Sequence, residues 1–137
     1  RKIPLVGKAS EIAGHVFVDN SSAASRVATI QKAKKQIVDG VSIVMFPEGS
    51  RTRNGKLGRF KRGAFQLAID MKLPIVPITI NGSYDVMRVG SCIIRPGKME
   101  MIIHKPIPTE DLTDKDIPAL VQHTRGVIYS GLWEKYK

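Results

Sequence analysis

The residues of this chain best suited to chemistry lie in two neighbouring stretches, Phe46-Pro47-Glu48-Gly49-Ser50-Arg51-Thr52 and Phe60-Lys61-Arg62-Gly63-Ala64-Phe65. Gly49 permits a tight turn or a positive φ, and Arg51 offers a planar fork of N–H donors that matches a phosphate in bidentate fashion. Lys61 and Arg62 stand at the predicted start of a helix, whose unpaired N–H groups and dipole also attract an anion. Two anion-binding devices therefore converge on one loop. Glu48, a carboxylate among cations, reads as the tether of an arginine. Arg51, Arg53, Lys56, Arg59, Lys61 and Arg62 make the loop strongly basic, which suits a phosphorylated ligand.

Other chemistries are poorly furnished. No Gly-x-Ser-x-Gly elbow is present for a serine nucleophile. His15, His104 and His123 are dispersed and lack a His-x-x-x-His spacing, so structural or surface roles are expected for them and no metal site. Cys92 has no adjacent base and reads as a small strand hydrophobe. Glu110, Asp111, Asp114 and Asp116 precede the last predicted helix, where acids cap and complement the dipole. A nucleic-acid module could draw on the same basic loop, but Phe60 alone there could stack on a base. No nucleic-acid partner is expected. The alternative from another class is a non-catalytic anion-binding module for nucleic acid or an anionic lipid surface, to which Lys32, Lys34 and Lys35 could contribute.

The elements that must position the loop are legible in composition and patterning. The chain of 137 residues fits one domain, 1–137, and 22 Lys and Arg against 12 Asp and Glu give a net charge of +10. Hydrophobic residues at 42% and charged residues at 25% imply a packed core rather than disorder. A single cysteine excludes an internal disulfide and a Cys-based zinc site. The longest strongly apolar run, 41–46, is far short of the roughly 20 residues a membrane span needs. The first residues do not read as a signal peptide, and the missing initiator methionine suggests a chain truncated at its N-terminus.

Along the sequence, 15–18 reads as a strand and 22–39 as a helix stopped by Gly40. The apolar run 41–46, bounded by Gly40 and Pro47, reads as a central parallel strand. Ligands bind at the C-terminal ends of such strands, which is where the 48–62 loop begins. A short helix over 63–71 ends before Pro74, and 75–80 reads as a strand in which Pro77 marks a bulge or an edge. A hairpin is expected between 92–94 and 99–103 about Arg95-Pro96-Gly97-Lys98. The last element is an amphipathic helix over 117–132, with Gly126 as a potential break. The order of elements gives an α/β domain.

The blocks together resemble the glycerolipid acyltransferases, the family of 1-acyl-glycerol-3-phosphate acyltransferase. Phe46-Pro47-Glu48-Gly49-Ser50-Arg51 is similar to that family's Phe-Pro-Glu-Gly-Thr/Ser-Arg motif. Gly14-His15-Val16-Phe17-Val18-Asp19 resembles its upstream Gly-x-x-Phe-Ile/Val-Asp/Asn-Arg block, Phe60-Lys61-Arg62-Gly63 its Phe-Lys-Lys/Arg-Gly segment, and Leu73-Pro74-Ile75-Val76-Pro77 its Val-Pro-Ile-Val-Pro block. Asn20 stands where the family usually carries arginine.

The resemblance implies a glycerol-3-phosphate acyltransferase-like α/β fold, a mixed and mostly parallel sheet flanked by helices. It implies acyl transfer from acyl-CoA or acyl-carrier protein, as co-substrate and without further cofactor, to lysophosphatidic acid, giving phosphatidic acid. The setting would be the cytoplasmic face of a membrane, with peripheral attachment or an anchor in preceding segments. Arg51 would hold the acceptor phosphate with help from Lys61 and Ser50, and Glu48 and Gly49 would shape the turn. The family's base is the histidine of an Asn-His-x-x-x-x-Asp motif, oriented by the aspartate. These 137 residues contain no His-x-x-x-x-Asp, so the motif is expected upstream, and the chain alone is expected not to turn over.

Overall fold

A computed structural model describes residues 31, 34, 35, 37, 40 and 42–137. The chain divides into two compact units, Arg1–Val44 and Met45–Lys137. In the first, Gln31, Lys34, Lys35 and Ile37 are helical, inside the helix expected over 22–39. The Gly40 N–H donates to the Ile37 carbonyl at 2.9 Å and Gly40 has φ 83°, the left-handed stop anticipated for a glycine. The strand expected over 15–18, the Gly14 to Asp19 block and Asn20 lie outside the described residues. Of the strand expected over 41–46, Val41 lies outside the described residues, and residues 42–46 carry no strand structure, with no ladder partner among the described residues. An apolar run supplies a strand's side chains, but a strand exists only through hydrogen bonds to a neighbour.

In the second unit, α1 (Gly63–Asp70) forms where the periodicity placed it and buries Phe65, Leu67 and Ile69. Its end is a Schellman turn: the Lys72 N–H donates to the Ile69 carbonyl at 3.1 Å and the Leu73 N–H to the Ala68 carbonyl at 2.9 Å, with Lys72 at φ 52°. Thr109, fully buried, donates its hydroxyl to the Leu73 carbonyl at 2.8 Å and so satisfies a polar group at that turn.

Strand β1 (Ile78–Asn81) leads through a short helix, α2 (Ser83–Val86), and an irregular segment to β2 (Glu100–Ile103). The two strands form an antiparallel pair with Ile78 opposite Ile103 and Asn81 opposite Glu100. Beyond Pro77, whose carbonyl accepts the His104 N–H at 3.0 Å, Ile75 pairs with Ile107. Lys105 and Pro106 thus oppose Val76 alone, a β-bulge whose extra residue lies on the strand facing Pro77. The proline correctly flagged an irregularity, although the insertion is its partner's.

The hairpin expected from 92–94 and 99–103 does not form. The ladder bonds of β2 go to β1, while residues 91–99 run without strand structure and Arg95 donates its N–H to the Val86 carbonyl at 2.9 Å. Cys92 is consequently exposed and in no strand. Gly82, at φ 85°, makes the close approach possible, since a Cβ there would lie 2.0 Å from the Lys98 carbonyl oxygen.

Helix α3 (Ile117–Ser130) starts with Pro118 in its first turn, where a missing N–H costs nothing, and runs through Gly126 without a break. A glycine inside a helix costs only about 1 kcal/mol, and packing on both sides of it outweighs that. Asp116 occupies the N-cap position without capping. Its carboxylate turns back to accept the Thr113 N–H at 2.8 Å and hydroxyl at 2.7 Å, bonds that lower its pKa, while Asp114 accepts from Gln66. Asp116 therefore closes a turn and Asp114 ties α1, and neither caps the helix with its side chain. Phe60, Phe65, Ile69, Ile117 and Leu120 form the core between α1 and α3. Each such side chain contributes roughly 1.5–3 kcal/mol on burial. No helix among the described residues is long and apolar enough to cross a membrane.

Candidate anion-binding site

The site begins where the backbone turns at Pro47 and Glu48. The Gly49 N–H donates to the Phe46 carbonyl at 3.0 Å and Gly49 adopts φ 71°, so the sequence places a glycine where an L side chain would be strained. The loop then returns. Lys61 donates its N–H to the Pro47 carbonyl at 2.7 Å, and its ammonium lies over Gly49, 2.6 Å from where a Cβ would stand. Glycine is needed there twice over, for its dihedral angle and to leave room for the lysine.

Among the described residues, Glu48 tethers no arginine. Its carboxylate accepts the Gly58 N–H at 2.8 Å, and a Cβ on Gly58 would fall 2.6 Å from the same oxygen. A backbone amide brought within reach by two glycines is fixed in place, whereas a long arginine would lose rotamer freedom to make the same bond. Between the two ends, Asn54 Oδ1 accepts the Thr52 hydroxyl at 3.0 Å and the Lys56 N–H at 3.1 Å, an Asx-type turn.

Glu48, Ser50, Arg51, Arg53 and Lys56 line an open depression of about 330 Å³. Lys61 belongs to an adjoining depression of about 410 Å³, with Arg59, Phe60 and Arg62. Of the expected phosphate-binding residues, the fold thus gathers Glu48, Ser50 and Arg51 in one wall and sets Lys61 beside them over Gly49. Among the described residues, Arg51, Arg53, Lys56, Arg59 and Lys61 have no carboxylate within 4 Å, the ion pairs being Lys135 with Asp85 and Lys137 with Glu134. Their cations are available to a ligand. Arg62 instead donates to Gln66 at 3.0 Å.

Three residues far along the chain shape the same loop, and nothing in their local sequence announces it. Arg125 on α3 donates to the carbonyls of Gly58 at 3.3 Å and Leu57 at 3.2 Å. The Tyr84 hydroxyl donates to the Arg53 carbonyl at 3.1 Å. The rings of Tyr84 and Tyr136 crowd Gly55, where a Cβ would meet them at 3.2 and 3.3 Å. The histidines stand apart. The Thr79 hydroxyl donates to the Ile128 carbonyl at 2.9 Å, which leaves His104 Nε2, 2.8 Å away, as donor to Thr79, and His123 is exposed. His104 is therefore held as a structural residue, and His15 lies outside the described residues.

The acyltransferase family model matches residues 1–81, which include the turn at Glu48, the basic loop and the start of α1. The chain belongs to the acyltransferase family. Among curated relatives of this acyltransferase chain, the 1-acyl-sn-glycerol-3-phosphate acyltransferase BAT2, chloroplastic, of Brassica napus is 39% identical over 106 residues, covering 77% of this chain and 31% of the relative. The 1-acyl-sn-glycerol-3-phosphate acyltransferase of Limnanthes douglasii is 34% identical over 130 residues, 94% of this chain and 46% of the relative. The crystal structure of the 1-acyl-sn-glycerophosphate (LPA) acyltransferase PlsC from Thermotoga maritima superposes with a TM-score of 0.73 at 26% identity, covering 98% of this chain and 55% of that one. The fold is therefore the α/β acyltransferase fold. The chain spans less than half the length of these two curated relatives. Tyr84, Arg125 and Tyr136 all lie beyond the residues that the family model matches.

Proposed function

We propose that the protein to which this chain belongs transfers a fatty acyl group from an acyl-CoA or acyl-carrier-protein thioester to the free hydroxyl of lysophosphatidic acid, forming phosphatidic acid, and that this chain supplies the acceptor-phosphate half of the site. The observation that carries the reading is the set of cations around Glu48 and Gly49 that have no carboxylate partner, on a loop held by backbone hydrogen bonds, in an acyltransferase chain. The names of the relatives support the same acceptor. Arg51 presents its fork to the phosphate and Lys61 adds a point charge, while Ser50 offers a hydroxyl at the rim. Glu48 and Gly49 keep the turn in the shape that aims them.

In the reaction, the acceptor hydroxyl oxygen forms a bond to the thioester carbonyl carbon, the carbon–sulfur bond breaks, and the hydroxyl proton passes to a base and on to the leaving thiolate. No acyl-enzyme and no metal enter this step. The base expected from the resemblance, a His-x-x-x-x-Asp pair, is not among these residues, and His104 is engaged with Thr79. Binding the remote phosphate fixes the hydroxyl beside the thioester and converts binding energy into orientation.

The same proposal sets the protein at the cytoplasmic face of a membrane. Ile93 and Ile94 are 64% and 72% exposed, with Met99 and the cations Arg95 and Lys98 beside them in sequence. Apolar side chains bordered by positive charge suit the interface of an anionic bilayer.

The test is Arg51→Ala in the full-length protein. Removing charge-assisted bonds to the phosphate is expected to cost about ten- to a hundredfold in kcat/KM for lysophosphatidic acid. The thioester KM is expected to stay within about twofold, because that substrate does not use the contact. Equal losses for both substrates overturn the assignment.

A further inference from the structure

We propose that Arg125 is a positioning residue for the anion site: from α3 it fixes the Gly58 peptide and, through Glu48 and Pro47, holds the Lys61 ammonium against the Gly49 turn. The inference rests on the acceptor-phosphate reading of the loop and adds to it a residue that lies 44 positions beyond the matched family region, which ends at residue 81.

The Gly58 peptide is gripped from both sides. Its N–H goes to the Glu48 carboxylate at 2.8 Å and its carbonyl receives Arg125 Nε at 3.3 Å, while Arg125 Nη2 takes the adjacent Leu57 carbonyl at 3.2 Å. Two neighbouring carbonyls on two nitrogens of one planar fork is a geometry that a lysine, with a single point of charge, does not reproduce. Arg125 is half-buried and has no carboxylate within 4 Å among the described residues, so no acid competes for its charge. A carboxylate at Glu48 and a guanidinium at Arg125 instead hold the two ends of one residue, and the strand of loop between them cannot shift without breaking a charge-assisted bond.

The path of the chain beyond Gly58 depends on that anchor. Phe60, 5% exposed, drops into the core and stacks on Phe65 with ring centroids 6.3 Å apart, and Lys61 then donates its N–H to the Pro47 carbonyl at 2.7 Å. The Lys61 side chain reaches over Gly49 from there. Arg125 never meets the ligand in this arrangement. It acts by fixing the register in which Glu48, Gly49 and Lys61 face one another.

The experiment uses the full-length protein with Arg125→Ala and Arg125→Lys beside Arg51→Ala, and it reads steady-state kinetics together with amide hydrogen exchange at Gly58 and Lys61. Loss of the clamp is expected to raise the KM for lysophosphatidic acid about tenfold in Arg125→Ala, with kcat and the thioester KM within about twofold. Exchange at both amides is expected to accelerate by about tenfold or more, since their bonds then open locally. Arg125→Lys should recover only part of either effect, and guanidinium ion added to Arg125→Ala should restore the acceptor KM.

Wild-type acceptor KM and wild-type exchange in both Arg125 variants, with Arg51→Ala still impaired, overturn the clamp. A uniform fall in kcat and in both KM-dependent rates, unrelieved by guanidinium, overturns it in favour of a purely structural role. An unimpaired Arg51→Ala overturns the phosphate reading instead, and the exchange rates still decide whether Arg125 orders the loop.

Discussion

The loop over residues 48–62 and the C-terminal cap around Asp85 are both rich in charge and aromatic rings, yet they pair them differently. At the cap, Asp85 accepts from the Lys135 ammonium and from the Tyr136 hydroxyl at 2.8 Å, and Lys135 lies 4.9 and 5.0 Å from the ring centres of Trp133 and Tyr136. Glu100 accepts the Trp133 indole N–H at 2.7 Å and the Asn81 amide at 3.2 Å. Each acid has its donors within the protein. In the loop the one acid, Glu48, is bound to a backbone N–H, and among the described residues none of the six cations has a carboxylate partner, Arg62 donating to the Gln66 amide instead. The two regions adjoin at Gly55, where Tyr84 and Tyr136 meet the loop, and the unpaired cations on one side of that contact support the proposal that the loop is the part that meets an anion.

The sharpest test of the cap is Gly82→Ala. The added Cβ would stand 2.0 Å from the Lys98 carbonyl oxygen, with the strain of φ 85° in addition, and backbone cannot swing aside as a side-chain tip can. A loss of about 3 kcal/mol or more in unfolding free energy is expected, measured by denaturant titration. A loss below about 1 kcal/mol would show that the 82–99 segment yields easily and that the cap is not rigid.

In the loop the corresponding substitution should be far milder. A Cβ at Gly58 meets the Glu48 carboxylate at 2.6 Å, and that group can rotate away at the cost of its bond to the Gly58 N–H. Gly58→Ala is expected to cost about 1–2 kcal/mol of stability and to raise the acceptor KM, because the freed Glu48 no longer orders the turn. Unchanged acceptor KM with that stability loss would separate Glu48 from the site. Arg51→Ala marks the other extreme, with thermal unfolding within about 0.5 kcal/mol of wild type, since an exposed cation without a partner supports nothing in the fold.

These contrasts also explain which features are legible in the residues alone. Helix α1 and most of α3 follow from local periodicity, and the turn at Gly49 from a glycine placed where the backbone takes φ 71°. Pro77 announced an irregular ladder because it lacks a donor. Partner choice left no such trace: β2 has the same alternating pattern whether it pairs with 92–94 or with 78–81, and the close approach that decides it needs Gly82 against Lys98. Arg125 is separated from the carbonyls it clamps by 67 and 68 residues, and Glu48 reads as an arginine's tether until the fold brings the Gly58 amide nearer. Contacts between distant segments are properties of the fold, and one sequence without its structure contains no record of them.

The smallest effect expected is a pH dependence that belongs to the cap and spares the loop. The Lys135 hydrogen bond, then that from Tyr136, holds the Asp85 carboxyl below its usual range, and the Asp85 bond raises Lys135. Burial, followed by the bond to Asp85, raises Tyr136. A lowered acid binds fewer protons in the folded state, so its contribution is complete above the ordinary aspartate pKa and fades as pH falls through the lower folded value. Lys135 and Tyr136, both raised, contribute fully below their ordinary values near 10 and lose the contribution as pH rises through the folded ones. Thermal unfolding should therefore decline modestly at both extremes and stay level between about pH 5 and 9 with respect to these groups. Asp85→Asn should make the acid limb shallower, leaving the part that Asp116 contributes through its bonds to Thr113, and weaken the alkaline one, because the shared carboxylate links them. If the acid limb is as steep in Asp85→Asn as in wild type, the paired charges of the cap add nothing to stability, and charge pairing no longer separates the cap from the loop proposed to bind an anion.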